Sequence, residues 1–168
     1  MSDEAFRKVL EAHRGSLTRL ASSFARTKED RQDLLQEMTL ALWNALRSFR
    51  GECSERTFVF RVAHNVGMKS ALKRRMDRAR TESASFEASD PDADPETIIV
   101  REQRVRGVSE AVAALPGSMR QVVVLALEGL SYSEISDVLG IQPEAVGARL
   151  SRARTVMRSM LREERSSR

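Results

Sequence analysis

Three arginines close the stretch "EISDVLGIQPEAVGARLSRAR", which runs from Glu134 to Arg154. A guanidinium offers a planar fork of donors that fits phosphate oxygens or the O6/N7 edge of guanine. Arg149 and Arg152 are three residues apart, so on a helix they share a face; Arg154 follows along the same segment. The positions before them are poor in such groups. Glu144, Ala145, Gly147 and Ala148 occupy the turns that would meet base edges, leaving direct readout to Gln142, Glu144, Arg149 and Arg152. DNA shape and phosphate contacts would have to supply the rest.

These side chains need a scaffold, and the flanking residues describe one. Ser131-x-x-Glu134 is a capping box ahead of a short helix at 132–138. Gly140 marks a turn, and Pro143 opens a following helix at 143–162. Ile135, Leu139, Ile141, Val146 and Leu150 are spaced to pack the two helices across each other. The pattern is a helix-turn-helix whose second helix enters the DNA major groove. The alternative on these residues alone is a solvated basic face beside an ordinary αα-hairpin. Upstream, a helix is expected at 118–128 with Gly129 as its stop. Another runs from an Asp94-Pro95-Glu96 start to Ala114.

The first half of the chain is also helical by period. Apolar residues recur at Phe6, Val9, Leu10, Leu17, Leu20, Ala21 and Phe24, then from Asp30 to Phe49 through Leu34, Leu35, Met38, Leu42 and Leu46. Gly51 is expected to stop that second helix. Phe58 to Arg75 resumes the period, weakened by its valines and by Gly67. The fold expected is all-α: two small helical domains, 1–80 and 96–168, joined by an acidic flexible linker at 81–95.

Charge follows the same division. Segment 61–80 carries seven Lys/Arg against Asp77, segment 147–168 seven Arg against Glu163 and Glu164, while "TESASFEASDPDADPE" (81–96) has six acids and no base. Cys53 is the single cysteine, which excludes an internal disulfide and a cysteine-rich zinc site. His13 and His64 are far apart with no third ligand in view. No phosphate loop, nucleophile elbow or metal-spaced cluster points to an enzyme, and no cofactor or metal is expected. Charges stand where a signal peptide needs an apolar run, and no apolar stretch approaches a membrane span; a cytoplasmic location without membrane insertion is expected.

"LPGSMRQVVVLALEGLSYSEISDVLGIQPEAVGARLSRAR" resembles region four of bacterial sigma factors, and "DLLQEMTLALWNALRSFRGECSERTFVFRVAHNV" resembles their region two. Two regions and a short linker are the layout of the extracytoplasmic-function (ECF) group of the sigma-70 family. The resemblance implies a non-enzymatic subunit that binds core RNA polymerase and directs initiation at chosen promoters. By that resemblance Asp33, Gln36, Glu37, Leu40 and Asn44, a polar face that would otherwise read as merely solvated, meet the β′ clamp. Phe49, Arg50, Ser54, Arg56, Thr57, Arg61, Asn65, Lys69 and Lys73 approach the −10 element. Ser131, Tyr132, Gln142, Glu144, Arg149, Arg152 and Arg154 approach the −35 element, while region four binds the β flap. Many members have an anti-sigma partner. The family's aromatic pair is replaced by Phe58 and Val59, and its lysine and serine in the reading helix by Gly147 and Ala148. Alternatives are a stand-alone helix-turn-helix regulator and a sigma-like interaction mimic.

Overall fold

The computed structural model describes residues 2–80 and 99–166, with side chains from 2 to 77 and from 107 to 162. Among the described residues there are seven helices and no strand. They are taken in chain order as two groups, α1–α3 as the first unit and α4–α7 as the second, described separately. The acidic segment at 81–95 and the expected Asp94-Pro95-Glu96 helix start lie outside the described residues.

In the first unit, α1 (Asp3–Phe24) starts where the Ser2 hydroxyl accepts from the Ala5 N–H, with Asp3 and Glu4 in the positive first turn. α2 (Lys28–Leu46) starts the same way: the Thr27 hydroxyl accepts from the Asp30 N–H at 3.1 Å. Leu34, Met38, Leu42 and Leu46, four apart, form its buried stripe. The helix ends at Leu46, earlier than its apolar period suggests. Ser48 and Phe49 bond back three residues, to Ala45 and Leu46, and this tightening unwinds the chain. Gly51, at φ +77°, bends the loop that follows and does not cap the helix.

α3 (Glu55–Arg80) begins ahead of the expected Phe58, because the Ser54 hydroxyl accepts from the Thr57 N–H at 3.0 Å. Val59, Phe60 and Ala63 bury its core side. Gly67 sits where the Phe24 ring lies against the helix: an added Cβ there would stand 2.5 Å from Phe24 Cδ2 and Cε2. The same ring meets His64 edge-on at 5.6 Å. Arg74 donates from Nη2 to the Phe24 carbonyl at 2.7 Å and from Nη1 to the Ser70 hydroxyl. α1 has no basic residue in its own last turn, so Arg74 supplies the cation its C-terminus favours.

The second unit comprises α4 (Ile99–Ala114), α5 (Gly117–Leu127), α6 (Tyr132–Leu139) and α7 (Pro143–Ser166). Ala111, Leu115, Val122, Leu125, Leu130, Ile135, Val146, Leu150 and Ala153 are among its buried apolar residues. Arg120 donates to the Leu115 carbonyl at 2.9 Å, tying α5 to the preceding turn, and burial pushes its guanidinium below its ordinary pKa. Two turns of one kind aim α6 and α7. Gly129 (φ +78°) lets Leu130 N–H reach the Leu125 carbonyl; Gly140 (φ +64°) lets Ile141 N–H reach that of Ser136. The Ser136 hydroxyl donates to the Ile141 carbonyl across the second turn.

Candidate functional site

α2 presents Asp33, Gln36, Glu37, Leu40 and Asn44 to solvent. Leu40 is 63% exposed, a large apolar side chain among carboxylates and amides. It forms a ridge between two shallow concavities. One is lined by Phe6, Leu35 and Trp43; the other by Glu37, Asn44, Val66 and Lys69. Trp43 is half-buried: Phe6 meets it edge-on at 4.9 Å and the Arg47 guanidinium lies 5.9 Å from its ring centre. It thus supports the concavity and is neither wholly core nor free.

Lys69 in that second concavity belongs to α3, so the face expected to bind protein and the row expected to bind DNA adjoin. Arg61, Asn65, Lys69 and Lys73 recur every four residues along α3, and the last three are exposed. Beside them Met68, Leu72 and Met76 form an exposed apolar row. Preceding the row, Phe49 and Phe58 pack ring to ring at 4.4 Å, and the Arg61 guanidinium covers Phe58 at 5.6 Å. Phe58 is not one of the candidates read from the sequence, yet it is what Phe49 and Arg61 rest on. Arg56 similarly covers Phe60 at 5.9 Å, and Arg50 is exposed.

Thr57 stands apart from the other candidates at only 1% exposure. Its hydroxyl lies 2.8 Å from that of Ser54 inside the cap, so both side chains hold the start of α3 and are occupied in doing so. A buried Thr one turn into a helix carries no sequence mark that separates it from an exposed one. Cys53 is half-buried in the same loop. His13 Nε2 lies 3.6 Å from Glu55 Oε1, joining α1 to the first residue of α3. Among the described residues no three His, Cys, Asp or Glu side chains gather as a metal site, and no helix is long and apolar enough to cross a membrane.

In the second unit the capping box closes in both directions. Glu134 N–H donates to the Ser131 hydroxyl at 3.2 Å, while Ser131 N–H and hydroxyl donate to Glu134 Oε2 at 2.8 and 2.9 Å. The Ser131 side chain is engaged in holding α6. Tyr132 follows it, 46% exposed, with its ring edge turned to Gly147 of α7. Arg149 is half-buried and Gln142, just ahead of α7, is exposed, while Glu144, Ala148, Arg152 and Arg154 sit on the outer turns of α7. Arg152 lies on the side of Glu144 and Ala148, whereas Arg154 is turned roughly 160° from Arg152 about the helix axis. Arg154 instead begins a row with Arg158 and Arg162.

Residues 9–78 match the family model described as Sigma-70 region 2, and residues 106–157 match Sigma-70, region 4. The chain belongs to the sigma-70 family. Within it, the chain is similar to members of the ECF group. It is 29% identical over 160 residues to the ECF RNA polymerase sigma-E factor of Escherichia coli, covering 90% of this chain and 83% of that protein. The RNA polymerase sigma factor CnrH of Cupriavidus metallidurans is 28% identical, over 95% of this chain and 88% of that one. CnrH solved in complex with the cytosolic domain of CnrY superposes with TM-score 0.68 at 25% identity, covering 96% of this chain and 90% of the other. The probable RNA polymerase sigma factor RfaY of Xanthomonas campestris pv. campestris is 25% identical over 94% of this chain, but the chain spans only 40% of its length. In this sigma factor the region-two match contains the α2 face and the α3 row. The region-four match contains Tyr132 and the arginines from Arg149 to Arg154.

Proposed function

We propose that this sigma factor binds core RNA polymerase in the cytoplasm and directs initiation at a subset of promoters, contributing no catalytic group of its own. The observation that carries the reading is the order of two family regions, each with an exposed surface fitted to its part. Leu40, set among Asp33, Gln36, Glu37 and Asn44, offers a protein partner an apolar anchor in a polar rim. That partner is the β′ clamp, and region four takes the β flap.

The row Arg61, Asn65, Lys69 and Lys73 lies along the path of the −10 element. Lysines bind backbone phosphate there, and Asn65 hydrogen-bonds a base edge. Arg61, Phe58 and Phe49 form a cationic, aromatic platform beside them. Unstacked bases favour such a platform. Arg50 and Arg56 flank it, while Ser54 and Thr57 hold the helix start. Gln142, Glu144, Arg149 and Arg152 face the −35 element, Tyr132 borders it, and Ser131 and Arg154 support and flank it. CnrH is held by the cytosolic domain of CnrY in its solved complex. A regulatory protein of the anti-sigma kind is the corresponding partner here.

Run-off transcription with purified core polymerase over a pool of promoter fragments tests the reading. Initiation that depends on added protein supports it. A stable complex with core but no initiation would favour an interaction mimic, for which the donor-poor α7 gives some ground. Sequence-specific DNA binding with no core complex would mean a stand-alone regulator.

A further inference from the structure

The start of α7 lacks the side chains that usually read bases, yet it is not bare. At Gly147 an added Cβ would meet Tyr132 Cε2 at 3.6 Å, ordinary contact distance, so the Tyr132 ring occupies the space beside a missing side chain. That ring is 46% exposed. Tyr132 is held there by the residue before it, whose capping box with Glu134 fixes the first turn of α6. At 100° per residue, Ala148 stands one turn from Glu144 and from Arg152 on the outer side of α7. The surface so assembled is the edge of a phenol ring, the bare backbone at Gly147 and the methyl of Ala148. Donors appear at its borders, in Gln142, Arg149, Arg152 and the hydroxyl of Tyr132 itself.

Such a surface discriminates bases by shape and by apolar contact. The one apolar group the major groove displays is the C5-methyl of thymine, which alanine and aromatic side chains contact. A guanine or adenine edge placed against the ring edge and the Ala148 methyl would lose its water and gain no partner from them. The geometry points to Tyr132, Gly147 and Ala148 as an apolar seat for a thymine methyl in the upstream promoter element. The ring of Tyr132, from α6, does the reading that α7 leaves undone. This inference rests on the sigma-factor reading above. It adds the class of base recognised at the centre of the site and the residue that recognises it.

The test uses the holoenzyme assembled from core polymerase and the full chain. Duplexes bound by it are first selected from a randomised upstream pool. Each thymine in the selected element is then replaced by uracil, which removes the methyl and leaves pairing unchanged. At one or two positions uracil is expected to weaken binding about fourfold, the effect of unburying one methyl-sized group. Tyr132→Phe keeps that sensitivity, since the ring and not the hydroxyl carries it. Tyr132→Ala loses it, and Gly147→Lys replaces the thymine preference with one for guanine. Both variants retain core binding, which gel-shift with core alone verifies along with folding. Uracil without effect at every position, or an undiminished effect in Tyr132→Ala, overturns the thymine seat and leaves the sigma reading standing. Failure of the wild-type holoenzyme to select any sequence overturns both.

Discussion

Gly67 and Leu40 show how differently single residues can be read. Gly67 looks in the sequence like a weak point in α3, since glycine costs a helix about 1 kcal/mol relative to alanine. Its purpose lies in Phe24, a residue of another helix, whose ring would overlap a Cβ at 2.5 Å. Phe24 cannot retreat cheaply, being buried against His64 with its carbonyl held by Arg74. Gly67→Ala is therefore expected to destabilise by about 1–3 kcal/mol in spite of the propensity it gains, as overpacking does. Thermal unfolding followed by circular dichroism checks this, and a melting temperature at or above wild type would show that the ring yields. No local pattern reveals this packing, because it depends on how α1 and α3 meet. The exposure of Leu40, by contrast, is legible from its polar neighbours, while its part in an interface comes from the family resemblance. At 63% exposure it contributes little to folding, so Leu40→Glu should leave the melting temperature within about 2 °C while weakening core-polymerase binding about tenfold or more. A native-gel titration with core polymerase reads the binding, and unchanged affinity would remove Leu40 from the interface.

At the scale of elements, legibility follows whether the stop and start signals are local. Gly129, Gly140 and the Ser131–Glu134 box place α6 and α7 correctly, because capping chemistry acts over three to six residues and leaves its donors and acceptors in the sequence. Periodicity alone starts α3 too late, at Phe58. Its cap is Ser54 with Thr57, and Thr at the third position lacks the reach-back carboxylate that makes a box recognisable. Periodicity ends α2 too late for a related reason: the apolar spacing runs on to Phe49, though that ring packs on Phe58 after the helix has unwound. Ser54→Ala should cost about 1 kcal/mol and fray the first turn of α3. Hydrogen exchange at the amides of Arg56, Thr57 and Phe58 measures the fraying locally. Because this turn seats the Phe49–Phe58–Arg61 stack, promoter opening should slow in the same variant. Permanganate footprinting of unpaired thymines follows that rate, and a wild-type rate with frayed amides would separate the stack from opening.

For the whole molecule the question is how readers this weak select promoters. The first unit offers a row of cations with one amide, and the second offers arginines around the proposed apolar seat; neither holds enough bidentate donors for tight recognition alone. Joining them through polymerase makes the second binding event effectively intramolecular, so two modest affinities multiply. On the proposed reading much of what each contributes is phosphate binding, which releases counterions and depends steeply on salt. The double variant Lys69→Ala, Lys73→Ala removes two exposed cations of the α3 row without touching Asn65 or the Phe58 platform. The plot of log affinity against log salt for the holoenzyme should become shallower by about 0.9 for each phosphate left without its lysine, hence by roughly 2 in all. Promoter ranking should not change, since phosphates carry no sequence. Arg152→Ala makes the opposite separation: ranking in the upstream element collapses, while the slope alters by about 1 at most. Equal effects of the two variants on ranking would mean that the lysines read bases, and that the division between phosphate anchors and base readers along this chain is wrong.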